Sequence, residues 1–195
     1  MNKLILASSS PRRRELLHQI GVSFDVKVAD IDETPLQDEK PDQYVQRLAL
    51  EKARKVAQNV SSPCLGSDTS VVLNGKIFGK PSDSNEAREM LEQLSGQSHQ
   101  VMSAVAIVET TDSGERSDVV LVSTKVTFKK LTADQIDRYI ATGEPADKAG
   151  AYGIQGKGAL LVSGIEGSYS NVVGLPLTET AALLERFHIP YWQNL

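Results

Sequence analysis

Residues 3–17, with the sequence KLILASSSPRRRELL, contain the turn around which the rest of the chain is organised. The apolar run at residues 4–7 is too short for a helix and predicts a buried strand. Ser10 followed by Pro11 is typical of an N-cap and the first residue of a helix. The stretch therefore predicts a strand that leads through a short turn into a helix.

Three arginines, Arg12, Arg13 and Arg14, occupy the first turn of this predicted helix. A cation there opposes the helix dipole at a cost of roughly 0.3–1 kcal/mol, so one interpretation is that a phosphate binds at this end. The other is that the arginines extend into water, because successive residues point about 100° apart. Arg13 continues the apolar stripe of the helix and should point toward the carboxyl end of the strand, which favours a functional role.

The composition predicts a soluble, cytoplasmic protein. A chain of 195 residues suits one domain or two closely packed lobes, and a net charge of −4 argues against non-specific binding to nucleic acid. Cys64 is the only cysteine, so an intramolecular disulfide is impossible. We expect no membrane association, because no apolar run approaches about 20 residues. The three histidines show no metal-site or triad spacing and are interpreted as structural or solvated: His18, His99 and His188.

Hydrophobic patterns predict a mixture of further strands and helices. Strands are predicted at residues 24–28, 64–73, 77–78, 101–108, 119–128 and 159–163, and helices at residues 41–60, 84–94, 133–141 and 177–187. The strands at 101–108 and 119–128 are expected to pair as an antiparallel hairpin. The predicted sheet is therefore mixed.

Three charged features inside these elements need an explanation. The acidic residues at 30–33 either attract a divalent cation or only form a turn before Pro35. Lys52 interrupts the apolar face of the helix at 41–60, so its ammonium either reaches water or meets an internal anion. Asp68 lies within a strand, where a carboxylate is costly unless it is hydrogen-bonded, paired or metal-bound. A functional role is the favoured interpretation for Asp68.

Two loops carry further candidates. Lys80 lies between Gly79 and Pro81 and either reaches back over the same site or is an ordinary exposed lysine. Residues 147–158, DKAGAYGIQGKG, are dense in glycine, as a loop that closes on a ligand would be. Their GxxGxG spacing fits neither the Walker A motif nor the dinucleotide-binding fingerprint, so both of those site classes are excluded.

Several motifs, taken together and in order, resemble the Maf family of nucleotide pyrophosphatases. They are SSSPRRREL at residues 8–16, DET at 32–34, EKAR at 51–54, GSDT at 66–69, GKP at 79–81, DKAGAYGIQG at 147–156 and GSYSNVVGLPL at 167–177. The resemblance covers nearly the whole chain and implies a single domain over residues 1–195. It implies an α/β fold with a mixed, twisted sheet flanked by helices, in two lobes around a deep cleft, similar to the inosine-triphosphate pyrophosphatases.

The resemblance implies hydrolysis of a nucleoside triphosphate to the monophosphate and pyrophosphate, with a divalent cation such as Mg²⁺ or Mn²⁺. Asp68 would accept a proton from the attacking water, and Glu33 and Asp68 would hold the metal ion. Arg14 is expected to be solvated on the outer face of its helix. The substrate-binding positions of the family correspond to five residues of this chain: Ser8, Arg12, Arg13, Lys52 and Lys80.

Thr69 and Gln155 resemble the branch of the family that acts on dTTP and UTP, and with Arg12 they would set the base preference. The Gln155 amide offers a donor and an acceptor that match the N3–H and a carbonyl of uracil and thymine, although a flipped amide could also meet cytosine. Modified pyrimidine nucleotides are further expected substrates, in a house-cleaning role. The family's association with inhibition of septum formation gives an alternative, a nucleotide-binding regulator of cell division. Analogy with the family also suggests a homodimer.

Overall fold

The computed structural model describes residues 3–193 of the chain. Its strands are β1 (Leu4–Leu6), β2 (Phe24–Val26), β3 (Cys64–Leu73), β4 (Lys76–Phe78), β5 (Ser98–Thr111), β6 (Gly114–Phe128) and β7 (Val162–Glu166). Its α-helices are α1 (Pro11–Gln19), α2 (Pro41–Ala57), α3 (Ser84–Leu94), α4 (Ala133–Ile140), α5 (Tyr169–Val173) and α6 (Leu177–Arg186). Among these described residues, no helix combines the length and the apolar character that a membrane span requires.

The strands form one seven-stranded sheet in the order β2-β1-β3-β5-β6-β7, with β4 paired to β3. β1 lies parallel to both of its neighbours, β2 and β3. The β3–β4 and β6–β7 pairs are antiparallel. The prediction of an α/β fold with a mixed sheet flanked by helices is therefore confirmed.

Capping residues fix the starts of three predicted helices. Ser10 Oγ accepts a hydrogen bond from the Arg13 N–H, and Pro11 is the first residue of α1. Asp83 caps α3 through two backbone N–H groups, and Thr132 begins a capping box at α4. Each such cap stabilises its helix by about 1 kcal/mol. These local signals explain why the starts of α1, α3 and α4 agree with the sequence.

One strand prediction is wrong, and one helix was not predicted. The strand expected at residues 159–163 is replaced by a 3-10 helix at Gly156–Leu161, and β7 begins only at Val162. The backbone N–H groups of Lys157 and Gly158 donate to the carboxylate of Glu144, so they are not directed at a neighbouring strand. Helix α5 contains five residues, too few to show a helical period.

The described residues fall into two compact units, each with its own hydrophobic core. The first comprises residues 3–68, 103–122 and 174–193, and the second comprises residues 69–102 and 123–173. The core of the first unit includes Cys64, a free and fully buried cysteine at the start of β3. Burial raises the pKa of the Cys64 thiol to about 11.

Candidate active site

In the first unit, α2 packs against β3 closely enough for a lysine to reach an aspartate. Gly66 permits this approach, because a Cβ on Gly66 would lie 2.2 Å from Ala49 O and 2.7 Å from Ala53 N. Lys52 lies beside Ala53 on α2, and Asp68 lies on the same face of β3 as Gly66. The sequence did not single out Gly66, since its role depends on how closely the preceding helix, α2, packs against β3.

Lys52 is the centre of a charged cluster. Its Nζ lies 2.8 Å from Asp68 Oδ1 and 2.9 Å from Glu33 Oε1. The Lys52 and Asp68 side chains are each 11% exposed, whereas Glu33 is 53% exposed. The interpretation that Lys52 meets an internal anion is therefore confirmed, and its partners include two carboxylates. The Asp68 carboxylate is paired, as its burial requires.

The acidic loop before α2 is attached to that helix through its backbone. The Tyr44 hydroxyl donates to Glu33 O at 2.9 Å, and Arg47 Nη2 donates to Thr34 O at 3.2 Å. Asp32 Oδ1 accepts from the Thr34 N–H at 2.9 Å, which is ordinary turn chemistry. The turn chemistry is therefore observed at Asp32, whereas Glu33 contributes a carboxylate to the cluster at Lys52.

The two side chains of α2 that hold this loop, Tyr44 and Arg47, both stay protonated at neutral pH. Burial raises the pKa of Tyr44 to about 12, and the charges of Asp68 and Glu33 act in the same direction. The phenol therefore remains a donor at neutral pH. Arg47 binds Glu39 through two N–H groups at 2.6 and 2.7 Å, and this pairing raises the pKa of Arg47.

Arg13 bonds to two positions in the first unit. Its Nε donates to Gly174 O at 2.9 Å, and its Nη1 donates to Ser8 Oγ at 3.3 Å. The hydroxyl of Ser67 also donates to Gly174 O, at 3.3 Å. Burial lowers the pKa of Arg13, and the negative charge of Asp68 partly opposes this effect. The structure thus brings Ser8 and Arg13 together after the end of β1.

The neighbours of Arg13 differ in exposure, as expected for successive residues of a helix. Arg12 is partly buried, and its positive charge adds to the lowering of the Arg13 pKa. Arg14 is exposed, which confirms the expectation that it is solvated. Of the three arginines, Arg12 and Arg13 remain candidates for anion binding.

The other three candidates, Thr69, Lys80 and Gln155, belong to the second unit. Thr69 is partly buried in β3, and Lys80 is exposed on the loop after β4. Gln155 is exposed and immediately precedes the 3-10 helix. The Gly150 N–H donates to Gly79 O at 3.0 Å, so the loop of Lys80 is tied to the glycine-rich segment.

Glu144 organises the glycine-rich segment, a role that no pattern in the sequence indicated. Its Oε1 accepts from Tyr139 OH at 3.0 Å and from the Gly158 N–H at 2.9 Å, and its Oε2 accepts from the Lys157 N–H at 3.0 Å. Burial alone would raise the pKa of Glu144, but these hydrogen bonds hold it below its usual value. The donors at Lys157 and Gly158 thus face a carboxylate of the protein itself.

Comparison with solved structures agrees with the fold class. The chain is similar to a HAM1 protein from Coxiella burnetii, with a TM-score of 0.55 over 95% of this chain and 100% of that chain. The sequence identity is 19%, so this likeness concerns the fold alone. It agrees with the α/β architecture described above.

Comparison of sequences identifies the family. The family model described as Maf-like protein matches residues 3–187. A dTTP/UTP pyrophosphatase of Myxococcus xanthus (strain DK1622) is 52% identical over 188 residues, which cover 96% of this chain and 93% of the relative. A dTTP/UTP pyrophosphatase of Moorella thermoacetica is 51% identical over 193 residues, which cover 98% of each chain. The chain belongs to the Maf family.

Proposed function

We propose that this protein hydrolyses nucleoside triphosphates to nucleoside monophosphates and pyrophosphate, with dTTP and UTP preferred and modified pyrimidine nucleotides as further substrates. Relatives that share 51–52% of its sequence are named dTTP/UTP pyrophosphatases. The observation that carries the proposal is the buried Lys52, whose ammonium lies 2.8 Å from Asp68 and 2.9 Å from Glu33. Such a cluster combines a cation for phosphate with a carboxylate that can accept a proton.

The chemistry follows from a change of partners at Lys52. When a triphosphate binds, the ammonium can turn from the carboxylates to a phosphate oxygen, because lysine is a flexible point charge with three donors. Asp68 then accepts a proton from a water molecule. The water oxygen forms a bond to the α-phosphorus as the bond to the β-phosphate oxygen breaks, and pyrophosphate leaves.

Phosphoryl transfer depends mainly on positioning and neutralisation of charge, and the opening turn supplies both. Ser8, Arg12 and Arg13 bind phosphate oxygens. The bonds from Arg13 to Ser8 and Gly174 fix the plane of its guanidinium, so less side-chain entropy is lost when a phosphate binds. In the second unit we assign Lys80 to phosphate binding.

Base selection is assigned to three residues. Gln155 and Thr69 distinguish the base, and Arg12 contributes to the same preference. The Gln155 amide carries both a donor and an acceptor, which suits the N3–H and carbonyl that thymine and uracil share. The exposure of the Gln155 side chain supports this assignment, because it is accessible to a ligand.

A divalent cation, Mg²⁺ or Mn²⁺, fits the acidic groups of the first unit. Within residues 3–193, no three His, Cys, Asp or Glu side chains are grouped as a metal site. Glu33 and Asp68 nevertheless converge on Lys52 Nζ, and Mg²⁺ commonly binds one or two carboxylates together with substrate phosphates. We assign these two residues to the metal ion, which would neutralise charge on the phosphate oxygens.

A panel of nucleotides tests the proposed function. Release of pyrophosphate is measured for dTTP, UTP, CTP, 7-methyl-GTP and ITP with Mg²⁺ or Mn²⁺, and dTTP and UTP should be turned over fastest. Asp68→Asn should lose about 10²- to 10⁴-fold in kcat. Asp25→Asn is a matched control, because Asp25 is an exposed strand aspartate that pairs with Lys3. Full activity of Asp68→Asn would remove it as the base, and release of orthophosphate would contradict the reaction class.

The alternative of a nucleotide-binding regulator of septum formation is not favoured, because the relatives are named for an enzymatic activity. We further propose a cytoplasmic location, which the free thiol of the only cysteine, Cys64, supports. We also propose a homodimer on the basis of the family resemblance, and light scattering coupled to gel filtration would test it.

A further inference from the structure

Gln155 lies between two points at which the backbone is held. Two residues before it, the Gly153 N–H donates to Tyr139 OH at 3.3 Å. Two residues after it, the Lys157 N–H donates to Glu144 Oε2, and the Gly158 N–H donates to Glu144 Oε1. The Gln155 side chain itself is exposed. The protein thus fixes the main chain on both sides of this residue and leaves its side chain accessible.

These two points are joined to each other. Tyr139 donates to Glu144 Oε1 at 3.0 Å, so the phenol that holds Gly153 is bonded to the carboxylate that holds Lys157 and Gly158. Hydrogen bonds to an ionised acceptor are about twice as strong as bonds between neutral groups. A single ionised side chain therefore stabilises the conformation of the whole stretch from 153 to 158.

The glycines of the segment make room for this arrangement. Gly156 has a φ of +68°, and a Cβ there would lie 2.9 Å from Glu144 Oε2. A Cβ on Gly158 would lie 2.1 Å from Gly153 O and 2.7 Å from Tyr139 OH. The GxxGxG spacing thus accompanies close packing within the segment and against Glu144 and Tyr139. A phosphate-binding loop would instead direct its N–H groups to a ligand.

Lys148 adds a further attachment near the start of the segment, beside Gly153. Its Nζ donates to Glu144 O and to Asp147 Oδ1, both at 2.7 Å. Its aliphatic stem occupies the space beside Gly153, where a Cβ would lie 2.9 Å from Lys148 Cδ and Cε. The backbone and the side chain of Glu144 are thus both held within the second unit.

We propose that Glu144 is a positioning residue for base selection, which fixes the segment 153–158 so that the Gln155 amide meets the base at one distance and in one orientation. The proposal rests on the proposed function, in which Gln155 reads the base. A segment released from Glu144 would let the amide rotate or flip, and a flipped amide also satisfies cytosine. Loss of Glu144 should therefore weaken discrimination between dTTP and CTP more than it slows the chemical step.

Glu144→Gln is the informative substitution because it keeps the volume of the side chain. The amide retains one acceptor oxygen but turns an NH₂ group toward a backbone N–H, so at least one of the three hydrogen bonds is lost. We expect the ratio of kcat/KM for dTTP to that for CTP to fall about tenfold, as for one lost hydrogen bond, with KM changing more than kcat. Amide hydrogen exchange at Lys157 and Gly158 should accelerate, which is a readout independent of activity.

A double-mutant cycle separates positioning from a general structural role. Glu144→Gln, Gln155→Ala and the double variant are compared with dTTP, UTP and CTP as substrates. If Glu144 acts through Gln155, the double variant should match Gln155→Ala within about twofold, because the two effects are then not additive. Glu166→Gln is the matched control, since the Glu166 side chain is 72% exposed on β7.

The outcomes distinguish this proposal from the function on which it rests. Wild-type protein that releases no pyrophosphate would overturn the function, and unchanged base preference in Gln155→Ala would remove Gln155 and, with it, the role of Glu144. If Gln155→Ala changes the preference but Glu144→Gln lowers kcat/KM equally for all three nucleotides, or if the two effects multiply, only the positioning role is overturned. If Glu144→Gln does not fold, Tyr139→Phe is used in its place, because it removes one bond to the same carboxylate. It should shift the dTTP-to-CTP ratio of kcat/KM in the same direction. An unshifted ratio would overturn the proposal.

Discussion

Asp68 and Glu144 are two carboxylates that the protein satisfies in different ways. Asp68, in the first unit, is paired with the ammonium of Lys52, a flexible side chain. Glu144, in the second unit, accepts from two backbone N–H groups and a phenol. A side chain can rotate away and return, whereas backbone donors move only if the segment changes its conformation. The difference separates a carboxylate whose lysine partner can move from one that is held by the main chain.

The largest effect on stability should come from removal of the ammonium in the first unit. Lys52→Met would leave the buried Asp68 carboxylate without its lysine, and we expect the free energy of unfolding in urea to fall by about 3–5 kcal/mol at pH 7. The double variant Lys52→Met with Asp68→Asn should recover much of this loss, because the carboxylate that lost its lysine is then replaced by a neutral amide. A double variant as unstable as the single one would contradict the pairing argument.

A buried group without a charged partner should make stability depend on pH. His99 is 2% exposed, its Nε2 lies 2.7 Å from Tyr152 OH, and its Nδ1 has no partner among the described residues. Burial lowers the pKa of His99 from 6.5 to about 4. As the pH falls, His99 therefore takes up a proton in the unfolded chain before it does so in the folded protein. The folding stability that the neutral His99 contributes above pH 6.5 is lost between pH 6.5 and pH 4.

The loss from His99 should reach roughly 3 kcal/mol at pH 4, from the size of the pKa change. The measurement is urea unfolding at several pH values. His99→Gln should flatten the curve over this range, with the wild-type protein measured in parallel as the reference. An equal slope in wild type and His99→Gln would show that other groups cause the acid sensitivity.

Two glycines provide a matched pair of substitutions, one in each unit. Gly66→Ala and Gly158→Ala would place a Cβ 2.2 and 2.1 Å from a carbonyl oxygen, and each should lower stability by about 1–3 kcal/mol. Gly66→Ala should also reduce kcat, because it separates Lys52 from Asp68, whereas Gly158→Ala should mainly alter base preference. Gly164→Ala is the control, since a Cβ there would have no atom within 4 Å apart from those of its own residue and its two chain neighbours. Equal losses of kcat in both variants would remove the contrast between the two regions.

The smallest effects should come from two phenols. Tyr44→Phe removes a hydrogen bond to the backbone oxygen of Glu33. Tyr139→Phe removes one to the carboxylate of Glu144 and also deprives the Gly153 N–H of its phenol acceptor. We expect thermal or urea unfolding to report a loss of about 1 kcal/mol for Tyr44→Phe and about twice that for Tyr139→Phe, because two hydrogen bonds are lost and one of them has a charged acceptor. The opposite order would mean that these two bonds stabilise the protein less than the single bond of Tyr44.

The sequence predicts those parts of the fold whose signals are local. Ser10 and Pro11 fix the start of α1, and the strand predicted at 64–73 coincides with β3. The 3-10 helix at Gly156–Leu161 escapes prediction because Glu144, distant in sequence, binds its N–H groups. Tertiary contacts decide the conformation there, and no local pattern records them.

The residues of the candidate site also separate into those that the sequence indicates and those that only the structure reveals. Lys52 and Asp68 each stand out in the sequence, because a charge interrupts an apolar face or a strand, but only the structure joins them at 2.8 Å. Gly66 and Glu144 show no such anomaly, since a glycine in a strand and a glutamate after a helix are unremarkable alone. Their roles follow from contacts that chain folding creates.

Cys64 has a practical consequence for spectroscopy of this protein. Thiol reagents attack the thiolate, and a buried thiol with a pKa of about 11 has almost none at neutral pH. A cysteine introduced at an exposed position such as Asp134, whose side chain is 71% exposed, should therefore be labelled selectively under native conditions. Single fluorophores or spin labels can then be attached without first replacing the native cysteine.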